Sequence, residues 1–212
     1  MRIVPAILTD KRDEFLHMID IAKGFTNYVQ ADFMDGNFVP SKSIALNALK
    51  GLEFSLNVEA HLMVKDSKRY LPVLKSSGIK KIIFHFEAEP DPQMLIRSIK
   101  DLEMEAGLAV NPETTISDFA YLVPHVDSLL FLSVDPGFYG SPFIPDVLNK
   151  IKTFGAQHSS VCTGIDGGIS LENVKDVKAS GVDYACVGSR IFMQPNPCKS
   201  YEAFVSRIEE SS

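Results

Sequence analysis

The 212-residue sequence is short of cysteine, of long apolar runs and of positive charge, and each shortage excludes something. Cys162, Cys186 and Cys198 form an odd set with no C-x-x-C pair, so a disulfide framework is not expected and a reducing compartment is. No stretch approaches the roughly 20 apolar residues of a membrane span, and the apolar start at residues 3–8 is too short for the core of a secretion signal. A net charge of −6 offers no cationic field for nucleic acid. An anionic ligand would have to be held by local dipoles or a few placed cations. Linkers and low-complexity tracts are also missing. With 45% hydrophobic and 23% charged residues, the composition is that of a globular chain able to build a core. The expectation is one soluble, cytoplasmic domain over residues 1–212, with no nucleic-acid or membrane partner.

What is present is alternation. β-rich runs occur at residues 3–8, 28–31, 58–63, 81–85, 107–110, 128–132, 160–165 and 184–187, several of them almost continuously apolar, as strands buried on both faces should be. Helical spacing lies between them. Residues 13–23 put Phe15, Ile19 and Ala22 on one side, and residues 91–102 do the same with Leu95, Ile99 and Leu102. Asp13 and Asp91 sit where N-caps belong, and Gly24 follows the first helix as a C′ glycine would. Eight strand–helix units in 212 residues leave about 26 each, enough for a parallel α/β fold closed into a single (β/α)₈ TIM barrel.

Chemically capable residues gather at the C-terminal ends of the runs: Thr9, Asp32, His61, His85, Asn111, Asp135, Asp166 and the pair Gly188-Ser189. A barrel brings those ends to one mouth, where the active sites of this fold lie. Ile165-Asp166-Gly167-Gly168-Ile169-Ser170 and Val187-Gly188-Ser189-Arg190 lead from strands seven and eight toward helices. Their glycines let backbone N–H groups converge on an anion, and barrels frequently hold phosphate at these two loops. The loop Asp135-Pro136-Gly137-Phe138-Tyr139-Gly140-Ser141-Pro142-Phe143 is longer than a minimal turn and is read either as a lid over the ligand, with Gly137 and Gly140 near it, or as an ordered surface loop. Asp32 and Asp166 leave strands two and seven, so they face one carbon from two sides. One ionised and one protonated carboxyl could take a proton from one face and return it to the other. Read separately, Asp32 is equally a loop cap and Asp166 an N-cap. His61 and His85 suit carbonyl polarisation, metal binding or plain core hydrogen bonding, and His61 with two aspartates makes a mixed N/O metal set. Met34 and Met63 flank the same strand ends as an adaptable apolar wall or as ordinary packing.

These segments resemble the ribulose-phosphate 3-epimerase family along almost the whole chain. Pro5-Ala6-Ile7-Leu8-Thr9 is similar to that family's P-S-I-L-S, and residues 32–40, reading D-F-M-D-G-N-F-V-P, to its D-x-M-D-G-x-F-V-P. His61-Leu62-Met63-Val64, Gly107-Leu108-Ala109-Val110-Asn111-Pro112, Val134-Asp135-Pro136-Gly137-Phe138, Asp166-Gly167-Gly168-Ile169 and Gly188-Ser189 match further blocks in order. The resemblance implies an isomerase of carbohydrate metabolism in the pentose phosphate pathway, a homo-oligomer that converts ribulose 5-phosphate to xylulose 5-phosphate through an enediolate. It implies Asp32 and Asp166 as the acid–base pair, and a divalent metal (zinc, iron, manganese or cobalt) held by Asp32, His61 and Asp166, with the Gln30 amide oxygen open as a further, poorer ligand. Substrate contacts are implied at Thr9, His61, Met34, Met63, Gly137, Gly140, Gly167, Gly168, Gly188, Ser189 and Arg190. The sequence departs from the family pattern at Gln30, where a metal-binding histidine stands, and at Leu132, Tyr139, Ser141 and Arg190, the last adding charge beside the phosphate loop. The alternatives kept open by Gln30 are an epimerase for another ketose phosphate and a non-epimerising relative that binds a sugar phosphate.

Overall fold

Mostly apolar runs become strands whose two faces are both covered. They are β1 (Arg2–Ile7), β2 (Tyr28–Met34), β3 (Asn57–Met63), β4 (Lys81–His85), β5 (Glu105–Val110), β6 (Ser128–Leu132), β7 (Cys162–Asp166) and β8 (Tyr184–Val187). Each pairs in parallel with the next, and β8 returns to β1, so the sheet is a closed eight-stranded barrel. The computed structural model describes residues 1–136 and 141–210. Gly137, Phe138, Tyr139 and Gly140, the middle of the loop expected to cover the mouth, lie outside the described residues.

Parallel neighbours need crossovers, and these carry the outer layer. The helices are α1 (Arg12–Ala22), α2 (Leu71–Ser76), α3 (Pro92–Asp101), α4 (Ile116–Phe119), α5 (Asp146–Gln157), α6 (Val174–Ala179), α7 (Ser189–Phe192) and α8 (Pro197–Glu209). Between β2 and β3 the expected helix is replaced by one 3-10 turn, Leu46–Leu49. That stretch offers Leu46 and Leu49 to the core, one turn's worth of apolar stripe, before Gly51 turns the chain at φ 78°. Outward strand residues pack with Phe15, Leu74, Ile99 and Phe154 under the helices. Inward residues, among them Val4, Ile83, Leu130 and Tyr184, fill the barrel itself.

Element ends explain how the site is placed. β2 runs three residues beyond the expected run, and β7 ends on Asp166, so both aspartates belong to strand ends and not to loops. Asp91 caps α3 by accepting from the Met94 N–H at 2.9 Å. Asp13 does not cap α1; Lys11 stands at that position, and Asp13 lies in the first turn, where a negative charge favours the helix dipole. Gly24 follows α1, but its backbone is not left-handed. Among the described residues no helix is long and apolar enough to cross a membrane.

The end of the barrel opposite the strand C-termini is closed by side chains. Buried Glu59 pairs with Lys81 at 2.8 Å and accepts from the Tyr28 hydroxyl at 2.7 Å. The Tyr184 ring lies beside them, 4.9 Å from the Lys81 ammonium. This ring fits only because residue 164 has no Cβ: a methyl there would overlap it. Gly164→Ala is therefore expected to destabilise the fold by about 1–3 kcal/mol, as overpacking of a full core does. Denaturant unfolding of the variant measures this, and a change below about 0.5 kcal/mol would contradict it.

Candidate active site

The strand C-termini open onto a cavity, with about 610 Å³ of empty space in and over it when the open solvent at its mouth is included. One wall is chemical: Asp32 on β2, His61 on β3 and Asp166 on β7. A second is backbone, from Gly167, Gly168, Gly188 and Ser189. The third is apolar, with Leu8, Met34, Met63, Leu132 and Val134. The methionines thus sit where the sequence reading put them, packed with Val39.

The polar wall is one hydrogen-bonded unit. Parallel register sets Asp32 directly beside His61, and His61 Nδ1 lies 3.0 Å from Asp32 Oδ1 and 3.4 Å from Asp166 Oδ2. Gln30, wholly buried two residues before Asp32 on the same face of β2, reaches into the gap. Its amide nitrogen donates to Asp32 Oδ1 at 2.9 Å and to Asp166 Oδ2 at 2.8 Å, while its oxygen accepts from the buried Cys186 thiol at 3.1 Å. Carboxylates accept only, which fixes the amide this way round. Burial raises the Asp32 pKa and repulsion from Asp166 adds to that, against the hydrogen bonds from His61 and Gln30. Burial disfavours charge on His61, but hydrogen bonds and attraction to Asp166 and Asp32 prevail and raise its pKa to about 9.

Asp32, His61 and Asp166 bring one ligand atom each within 4.8 Å of one another, a donor set suited to a divalent cation. These three fit such an ion. Gln30 as oriented does not join them, because it presents N–H hydrogens to the same space.

The phosphate-type loops are shaped by their glycines. Gly167 and Gly168 have φ of 110° and 65°, and a Cβ on Gly168 would come within 2.9 Å of the Phe143 backbone. Asn173 braces the turn, donating to the Gly168 carbonyl at 2.9 Å and accepting from the Ser170 N–H at 2.8 Å. Ser189 and Ser141 also line the cavity. Two expected contacts fall elsewhere. The Thr9 hydroxyl donates to Glu14 at 2.6 Å, and its neighbour Leu8 lines the cavity instead. Arg190 is exposed and lines a separate outer hollow with Lys199 and Asn196. His85 lies behind His61, its Nε2 3.0 Å from His61 Nε2, and does not reach the cavity. Cys186 and Glu87 were not singled out from sequence. Glu87 two residues past His85 at a strand end was the available signal; Cys186 inside an apolar run gave none.

A barrel with a carboxylate–imidazole cluster facing glycine loops at its strand C-termini defines the class: a TIM-barrel enzyme with its polar site at the end where this fold places active sites. The model of the Ribulose-phosphate 3 epimerase family matches residues 2–192. The ribulose-phosphate 3-epimerase of Mycobacterium leprae is 31% identical, covering 97% of this chain and 94% of that protein. That of Escherichia coli K12 is 32% identical over 87% and 85%. The chain belongs to the ribulose-phosphate 3-epimerase family, isomerases that epimerise carbohydrates. Solved structures share the fold at lower identity: 3-hexulose-6-phosphate synthase from Salmonella typhimurium with a TM-score of 0.74 at 18% identity and full coverage of both chains, and KGPDC from Streptococcus mutans in complex with D-R5P with 0.76 at 13%, covering 98% and 97%.

Two outcomes follow from this geometry. Without metal, the His61 proton is held more tightly in the folded state than its ordinary value of 6.5, so the stability it contributes is complete below that pH and is lost as pH rises toward 9. Unfolding free energy of chelator-treated protein should fall over that window by on the order of 3 kcal/mol, and His61→Gln should flatten the slope. An equal slope in the variant would contradict it. Gln30→His should replace an amide N–H by an imidazole donor and tighten zinc binding by about tenfold or more, seen by chelator competition. Unchanged affinity would mean residue 30 does not face the ion.

Proposed function

We propose that the chain epimerises C3 of ribulose 5-phosphate to give xylulose 5-phosphate, with Asp32 and Asp166 carrying the proton. The observation that supports this most is the approach of two carboxylates, from β2 and β7, to one amide and one imidazole beside a glycine-lined anion pocket. Backbone at Gly168, Gly188 and Ser189 would anchor the phosphoryl end, setting C3 between the carboxylates.

Of the two, Asp32 is assigned as the acid, since burial and Asp166 push its pKa up, and Asp166 as the base. Asp166 takes the C3 hydrogen as a proton; the C–H electron pair becomes the C2–C3 double bond, and the carbonyl pair moves onto oxygen. Asp32 returns its proton to C3 from the opposite face, the double-bond pair forms the new C–H bond, and the oxyanion recloses to the carbonyl. The reverse reaction exchanges the two roles. A divalent metal (zinc, iron, manganese or cobalt) held by Asp32, His61 and Asp166 would supply positive charge for the oxyanion. Met34, Met63 and Leu132 keep water from the intermediate, which strengthens every charge interaction inside.

Incubation with ribulose 5-phosphate in deuterated water, with and without Mn²⁺, Fe²⁺ or Zn²⁺, should place solvent deuterium at C3. Asp32→Asn and Asp166→Asn should each lower kcat by roughly 10²–10⁴. Gln30 favours one second reading, a relative that binds a ketose phosphate without epimerising it. Absence of exchange with every ketose phosphate tried, alongside measurable binding, would establish that reading in place of the first.

A further inference from the structure

Behind His61 runs a chain of buried polar groups that the proton transfer does not use. His61 Nε2 lies 3.0 Å from His85 Nε2, the two rings stacked at 20° with centroids 5.1 Å apart. His85 Nδ1 lies 3.4 Å from Glu87 Oε2, within ion-pair distance, and neither atom has a hydrogen-bond partner. Glu87 sits in the 3-10 turn Phe86–Ala88 that follows β4. Its other oxygen accepts from the Asn111 N–H at 2.8 Å and from the Thr114 hydroxyl. The same loop is tied down by Lys150, which donates to the carbonyls of Asn111, Pro112 and Thr114.

The order of hydrogens along this chain is set from its far end. A carboxylate accepts only, so its approach to 3.4 Å favours the His85 hydrogen on Nδ1 over a bare nitrogen facing negative charge. His85 is fully buried, and a neutral ring with its one hydrogen on Nδ1 leaves Nε2 bare. A bare Nε2 can only accept, so the hydrogen between the imidazoles belongs to His61 Nε2. The lone pair of neutral His61 is then at Nδ1, the atom that faces Asp32 and Asp166.

We propose that Glu87 and His85 are positioning residues that fix the tautomer of His61, so that its Nδ1 is presented as a donor to a divalent cation. This rests on the reading of Asp32, His61 and Asp166 as a cation site. Outer partners of a ligating histidine commonly act so, and their loss weakens metal binding roughly 10- to 100-fold.

Glu87→Gln separates this role from a merely structural one. The new side chain can still accept from Asn111 and Thr114 through its amide oxygen, but it turns an NH₂ group toward His85 Nδ1. The order of hydrogens reverses: His85 carries its hydrogen on Nε2, and His61 carries its own on Nδ1. Zinc alone, titrated against a chromophoric chelator, should bind Glu87→Gln about 10- to 100-fold more weakly than the unaltered protein. Thr114→Val, which loosens the loop and leaves the relay intact, should bind it as before. Nitrogen-15 NMR of the unaltered, zinc-loaded protein should show His85 protonated at Nδ1 and His61 at Nε2, a result that needs no variant to fold. The opposite tautomer at His85, equal zinc affinity in Glu87→Gln, an equal loss in Thr114→Val, or no zinc binding by the unaltered protein would each overturn the proposal. None of these touches the epimerase reading, which deuterium exchange tests separately.

Discussion

Two carboxylates can share one buried pocket only if something between them carries hydrogens or positive charge. Here that task falls to a neutral amide and an imidazole. Gln30 joins Asp32 to Asp166 through the two hydrogens of one nitrogen, and His61 lies against both acids. The arrangement holds both acids against a single amide nitrogen. Burial and repulsion from Asp166 raise the proton affinity of Asp32. A histidine at position 30 would offer a lone pair to a cation; glutamine offers hydrogens to the acids. The exchange moves the site from one that depends on an ion for cohesion toward one that coheres through its own side chains.

The barrel makes this juxtaposition from residues 134 positions apart in sequence, counting from 32 to 166. Closure of β8 on β1 brings β2 and β7 round to the same mouth, and their parallel direction puts both C-terminal ends there. Register then sets the detail. Asp32 is paired with His61 across β2 and β3, and Leu132 with Asp166 across β6 and β7. Gln30 points with Asp32 because residues two apart on a strand share a face.

Much of this was legible in the sequence because it follows from period and position. All eight strands were marked by apolar runs, and Asp32, His61, Asp166 and the glycine pairs stood at their ends. What could not be read was direction. Thr9 stands at the right place in the chain, but its hydroxyl turns to Glu14, a choice made by the geometry of the first loop. Arg190 follows the phosphate-type glycines, yet the short α7 carries it to the outer surface. Cys186 is indistinguishable from its apolar neighbours until the barrel closes and sets it against Gln30. Between β2 and β3 the expected helix gives way to a single turn, which is enough to bury Leu46 and Leu49.

At the far end of the barrel, Tyr28, Glu59, Lys81 and Tyr184 form a sealed floor. The cavity is therefore a blind well. A ligand must leave by the opening through which it came, so departure and arrival compete for one doorway. The lining at the opening, which includes Leu8, Pro136 and Ser141, is therefore crossed twice in each turnover.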